Sequence, residues 1–224
     1  MIHYHGTPIT PRERLQQMRG RHFCVSHESP RDLETALAIG ASVMGDNGAF
    51  VRWTRNKPTD WPAYYHWCRE WLQHPHWCVV PDVIEGSEEE NDALLGECPL
   101  PRELTAPVWH LNESLDRLRR LADNYPRMCF GSCAEYDDPR SSAWVGRITT
   151  AWEVLSRGRT LPWVHMLRAM QQAAEGPWPF ASADSTNVAR NAVRLKPRHG
   201  VMCGEVMADR LDGVNPRKGR VDAR

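Results

Sequence analysis

The chain has 224 residues, 41% of them apolar and 25% charged, and its 28 basic residues balance its 28 acidic ones. That length suits one large core better than two domains, and no apolar run approaches the roughly 18 residues that cross a bilayer, so no membrane partner is expected. The start, Met1-Ile2-His3-Tyr4-His5, lacks the basic segment and long apolar stretch of a secretory signal, which points to the cytoplasm and to reduced thiols.

Apolar and β-branched runs recur at residues 2–7, 22–26, 42–45, 77–84, 107–111, 128–131, 163–167 and 179–183, giving eight expected strands. Segments of helical pattern lie between them. Several are opened by capping or first-turn signals: Thr10-Pro11, Ser29-Pro30, Thr59-Asp60, Ser87, Asn112 to Ser114, Asp138-Pro139 and Thr186-Asn187. In the segment 114–124, Leu115, Leu118, Leu121 and Ala122 share one face while Arg117, Arg119, Arg120 and Asp123 take the other, the pattern of an outer helix. Cys78-Val79-Val80 and Val108-Trp109 are continuously apolar, as strands covered on both faces are. Eight alternating units predict a single α/β domain, a (β/α)8 TIM barrel over residues 1–195. Residues 196–224 are expected to form a basic extension that packs on the barrel or stays partly mobile.

Seven cysteines form an odd set, of which only Cys129 and Cys133 are closely spaced. No second pair follows at zinc-ribbon spacing, so buried free thiols are expected and no metal or other cofactor is assigned. From Asn187 onward nine basic residues face four acidic ones, a local excess suited to a phosphate backbone. A merely solubilising tail would look the same.

Active sites in such barrels gather at the C-terminal strand ends. The closing residues there are Asp46-Asn47-Gly48-Ala49-Phe50, Pro81-Asp82, His110 with Asn112, Gly131-Ser132, His165-Met166 and Asp184. A lone strand-end aspartate is usually a cap, but three beside two histidines suggest a site. Asp184 could cap the following helix. Ser185, Thr186 and Asn187 could do so equally, which would leave its carboxylate free.

Taken in order, these motifs resemble the tRNA-guanine transglycosylase superfamily, and most nearly its short phage and bacterial relatives that place 7-deazaguanines in DNA. The resemblance spans about residues 2–191. It implies that Asp184 is the covalent nucleophile and that Asp46 handles protons on the departing and incoming bases. It further implies that Asp82 reads the N–H edge of the base, and that Gly131 and Ser132 supply the turn facing the base carbonyl. His110, Asn112 and His165 would complete the base pocket, with Phe50 and Met166 sandwiching the ring. Arg190, six residues after Asp184, would meet a phosphate, with Arg194, Arg198 and Lys218 extending the backbone contacts. The family's zinc cluster of three closely spaced cysteines and a histidine has no counterpart, and the chain stops before the usual C-terminal subdomain. Both departures point to DNA ahead of tRNA as the polymer partner, with a 7-deazaguanine base as co-substrate. They leave open whether the chain works alone, as a homodimer or with a partner subunit.

The chemistry suits the residue types, since a carboxylate can trap an oxocarbenium-like sugar as a covalent ester. Two other readings compete. His3-Tyr4-His5, His110, His165 and Asp184 mimic the ligand order of a metal-dependent amidohydrolase barrel, although the Asp-Asn-Gly-Ala-Phe turn has no role there. A barrel that binds a nucleobase or nucleic acid without reacting is the third.

Overall fold

The computed structural model describes residues 1–158 and 160–191 together with Ala208, Asp209, Asp212 and Gly213. Nine strands build one sheet: β1 (Ile2–Gly6), β2 (His22–Ser26), β3 (Ser42–Asp46), β4 (Trp77–Val79), β5 (Thr105–Ala106), β6 (Val108–His110), β7 (Arg127–Gly131), β8 (Trp163–Met166) and β9 (Ser182–Ser185). Their order is β5-β4-β3-β2-β1-β9-β8-β7-β6, and every pairing is parallel. The two edge strands are consecutive in the chain and separated only by Pro107, so the sheet curls into a nearly closed barrel. Proline cannot donate to a ladder, which accounts for the interruption. Its carbonyl still accepts from the Cys129 N–H at 2.8 Å, while the Ala106 carbonyl accepts from Val80 at 2.9 Å.

Helices α1 (Arg12–Gln17), α2 (Leu33–Ile39), α3 (Ala49–Thr54), α4 (Trp61–Arg69), α5 (Glu88–Gly96), α6 (Leu115–Asn124), α7 (Ser142–Ser156), α8 (Met170–Glu175) and α9 (Asn187–Asn191) connect or follow the strands. Their starts are fixed locally. Asp60, Ser114 and Ser141 each accept a backbone N–H of the first turn, and Ser87 and Glu90 form a reciprocal capping box at α5. Successive strand residues point to opposite faces. One set, including Tyr4, Cys24, Met44, Trp77, Val79, Val108 and Cys129, fills the barrel interior. The other set packs outward, with Trp109, Phe130, Val164 and Met166 meeting α6, α7 and α8, and Phe23, Val25 and Val43 meeting the helices of the first half.

The structure corrects three local expectations. The fourth strand was expected over 77–84, but its regular part ends at Val79: Pro81 has no N–H, and the Val80 carbonyl is taken by the Asn47 amide at 2.9 Å. The last strand lies later than 179–183, at Ser182–Ser185, so Asp184 is part of it. Arg117, placed on the solvent face of its helix, is 1% exposed and bonds Glu113, Asp92 and the Val108 carbonyl. Removing one partner of such a buried pair costs about 3–5 kcal/mol.

All described cysteines are free thiols, five of them buried. Among the described residues no helix is long and apolar enough to cross a membrane. Of the expected backbone-binding residues, Arg194, Arg198 and Lys218 lie outside the described residues. Two described acids from the tail, Asp209 and Asp212, pair with Arg21, and Ala208 is buried against the first-half helices.

Candidate active site

Inward positions at the C-terminal rim bring Asp46, His110, Gly131 and Asp184 onto one cavity of about 770 Å³, which Phe50, Asp82, Ser132, Leu167 and Arg190 also line. Two glycines allow this convergence. Gly48, at φ 77°, turns the chain after Asp46 into α3, and a Cβ there would lie 2.6 Å from the Glu28 side chain. A Cβ on Gly131 would meet the His110 ring at 3.0 Å, so the side chain of His110 can reach Asp82 only past a bare backbone.

Asp184 is held through one oxygen. His165 Nε2 and the Arg168 N–H both reach Oδ1 at 3.3 Å, and among the described residues no hydrogen bond falls on Oδ2. The tautomer of His165 follows from its other side. Trp163 donates its indole N–H to Ser182 Oγ at 2.8 Å, freeing the Ser182 hydroxyl proton for His165 Nδ1, also at 2.8 Å. His165 Nε2 therefore carries the proton and donates it to Asp184. Burial keeps the imidazole pKa below its ordinary value, so it acts as a neutral donor. Burial opposes the charge on Asp184 as well, but the bonds from His165 and Arg168 and the Arg168 guanidinium outweigh it and hold this carboxyl below its usual pKa.

Asp46 is driven the other way. Burial, with Asp184 and Asp82 nearby as like charges, pushes its pKa up to about 6 against a hydrogen bond from Ser26 and the charge of Arg168. The cavity floor thus carries one carboxylate ionised throughout the neutral range and one carboxyl poised to exchange a proton near it.

Asp82 is clamped. Its Oδ1 accepts from the Asn47 amide at 2.8 Å and its Oδ2 meets His110 Nε2 at 2.9 Å. The Asn47 oxygen accepts from the Ala49 N–H at 2.8 Å, which sets the amide orientation. On its far side His110 meets Glu113 at 3.4 Å, and Glu113 is held in turn by Arg117 and the His110 N–H. Burial alone would lower the His110 pKa, yet the two carboxylates raise it to about 9. A folded-state pKa above the unfolded value of 6.5 means that the stabilisation is complete below 6.5 and is lost as pH rises through about 9. Urea denaturation across that range should register a loss of up to about 3 kcal/mol, shrinking in Glu113→Gln; a flat profile would show that His110 is not charged.

The rim also carries a residue that the sequence pattern did not single out. Arg168 sits in the left-handed region at φ 67°, directs its N–H at Asp184 and lays its guanidinium over the Phe50 ring. Backbone strain of this kind in a non-glycine residue costs on the order of 1–3 kcal/mol and tends to occur at functional sites.

The remaining expected residues divide. Gly131 and Ser132 line the cavity, although the Ser132 hydroxyl accepts from Trp144 at 2.9 Å. His165 stands behind Asp184 and is fully buried. Met166 is not in the cavity: it is the odd residue of an alternating strand, fully buried in the outward core, and Leu167 lines the cavity in its place. Asn112 is exposed, accepts from the Cys133 thiol at 2.9 Å and does not line the cavity. Arg190 lines the mouth with Arg55 and Arg168. His3 and His5 alternate with the inward Tyr4 and so face away from the interior, which separates them from the cavity acids and undoes the ligand order of an amidohydrolase barrel.

Comparison with protein-family models, with curated proteins and with solved structures finds no match to this chain.

Proposed function

We propose that this chain exchanges a base in a nucleic acid, replacing guanine by a 7-deazaguanine through a covalent aspartyl–sugar intermediate, with DNA ahead of tRNA as the polymer. The observation that carries the reading is the divergence of two cavity carboxyls, Asp184 held low and Asp46 raised to about 6. Such divergence assigns a nucleophile and a proton carrier. In the first half-reaction the free Oδ2 of Asp184 bonds to the sugar carbon as the glycosidic bond breaks, and Asp46 gives its proton to the departing guanine. In the second, ionised Asp46 takes the ring N–H proton of the deazaguanine. The nitrogen then bonds to the sugar carbon and Asp184 departs as carboxylate.

The clamped Asp82 presents an acceptor edge to the N–H groups of a guanine-like ring, and Phe50 offers it a stacking face. Arg168 covers that face in this structure, so an entering base displaces a planar cation from Phe50 and frees it for the polymer backbone. Reading β5 and β6 as one strand interrupted at Pro107 gives eight strands, in keeping with a (β/α)8 barrel and its rim site.

The test is mass spectrometry of nucleosides from DNA and tRNA of cells expressing the protein. A deazaguanine nucleoside in either supports the reading, and its absence from both with the base supplied overturns it. Arg190→Ala should weaken oligonucleotide binding and flatten the slope of log K against log salt by up to about 0.9. An unchanged slope would place the phosphate elsewhere.

A further inference from the structure

Outside the cavity, β1 carries a cluster that base exchange does not use. His3 and His5 are 3% and 0% exposed, their rings 4.1 Å apart, and Asp212 closes over both from 207 positions beyond His5. Asp212 Oδ1 lies 3.4 Å from His3 Nδ1 and 3.1 Å from His5 Nε2. One ligand atom from each residue falls within 4.8 Å of the others.

Protons alone satisfy this cluster poorly. Among the described residues, the Nδ1 atoms of His3 and His5 are buried with no hydrogen-bond partner, and His3 Nδ1 stands 3.4 Å from Asp212 as an ion-pair contact. His3 Nε2 bonds Ser185 Oγ at 2.9 Å, and its Nδ1 faces a carboxylate oxygen of Asp212 at 3.4 Å. Zinc bonds nitrogen and oxygen at about 2.0–2.1 Å in tetrahedral geometry, which sets its ligands about 3.3 Å apart. The two histidine–carboxylate separations, 3.4 and 3.1 Å, bracket that value. Arg21 engages the other oxygen of Asp212, and Ser185 the other nitrogen of His3, in the positions of groups that orient metal ligands.

We propose that His3, His5 and Asp212 bind a divalent cation of the zinc class, which ties Asp212 to β1. The site lies outside the cavity, since its histidines face away from it; His3 contacts Ser185, the residue after Asp184, and water completes the tetrahedron.

The experiment is metal analysis of the full chain. Protein stripped with a chelator and dialysed against metal-free buffer is titrated with zinc, and separately with cobalt(II) for its absorption spectrum. Wild type should retain about one zinc per chain and give the intense visible bands of a tetrahedral cobalt site. Both should fall to background in His3→Ala and in Asp212→Ala. Because His3 is buried, circular dichroism must confirm that its variant is folded. Should it fail, Asp212→Ala decides, since that side chain is 31% exposed. Wild type that takes up neither metal overturns the proposal, as does equal uptake by Asp212→Ala. Neither result depends on base exchange.

Discussion

Asp184→Asn is expected to abolish a denaturant-resistant adduct between protein and a guanine-containing oligonucleotide, and to lower base exchange by on the order of 10⁴-fold. An amide cannot form the sugar ester, while its size preserves the contacts from His165 and Arg168. Both contacts fall on Oδ1, so the variant removes the reacting oxygen with little disturbance of its support. Oligonucleotide affinity should therefore change far less than rate. Adduct in undiminished yield from the variant would remove Asp184 from the reaction.

Asp46→Asn should lower exchange by roughly 10² to 10⁴-fold, the usual value of a positioned acid or base. In wild type the first half-reaction needs Asp46 protonated, so kcat/KM should fall about tenfold per pH unit above about 6, and the variant should lose that limb. The variant's effect on stability is opposite to its effect on activity. A carboxyl whose pKa is raised from 3.8 to about 6 on folding stabilises fully below 3.8, and that contribution is lost as pH climbs to about 6. At neutral pH the wild type thus carries a penalty of up to about 3 kcal/mol, reduced by solvent because Asp46 is only half-buried. The variant should melt higher than wild type at neutral pH and alike in acid. Equal melting at both would mean that Asp46 is solvated.

The barrel-like sheet could be read from the sequence because both of its signals are local: apolar runs of strand length and the caps between them, such as Asp60, Ser87 and Ser114. The closing aspartates were legible for the same reason. What escaped depends on contacts between distant segments. Arg117 looks like a solvent-face residue until Glu113, Asp92 and the Val108 carbonyl surround it. Asn47 reads as a turn residue, and only the fold reveals that it holds Asp82. Met166 and Leu167 differ by one position, and alternation sends them to opposite faces once the true strand phase is known. Arg168 gave no signal, because its left-handed backbone and its place over Phe50 are set by the rim as a whole.

The interruption at Pro107 gives the barrel one weak joint. Every other neighbour in the ring is joined by a backbone ladder, whereas here the two edges are held by a single proline-bearing link. Asp82 follows the strand beside one edge and His110 ends the other, so their 2.9 Å bond is a clasp drawn across the joint from inside. If, as proposed, Asp82 reads the base, the base competes for that clasp. On the proposed reading, a base held by Asp82 sits beside this joint, whereas Asp184 stands on a strand laddered to a neighbour on both sides.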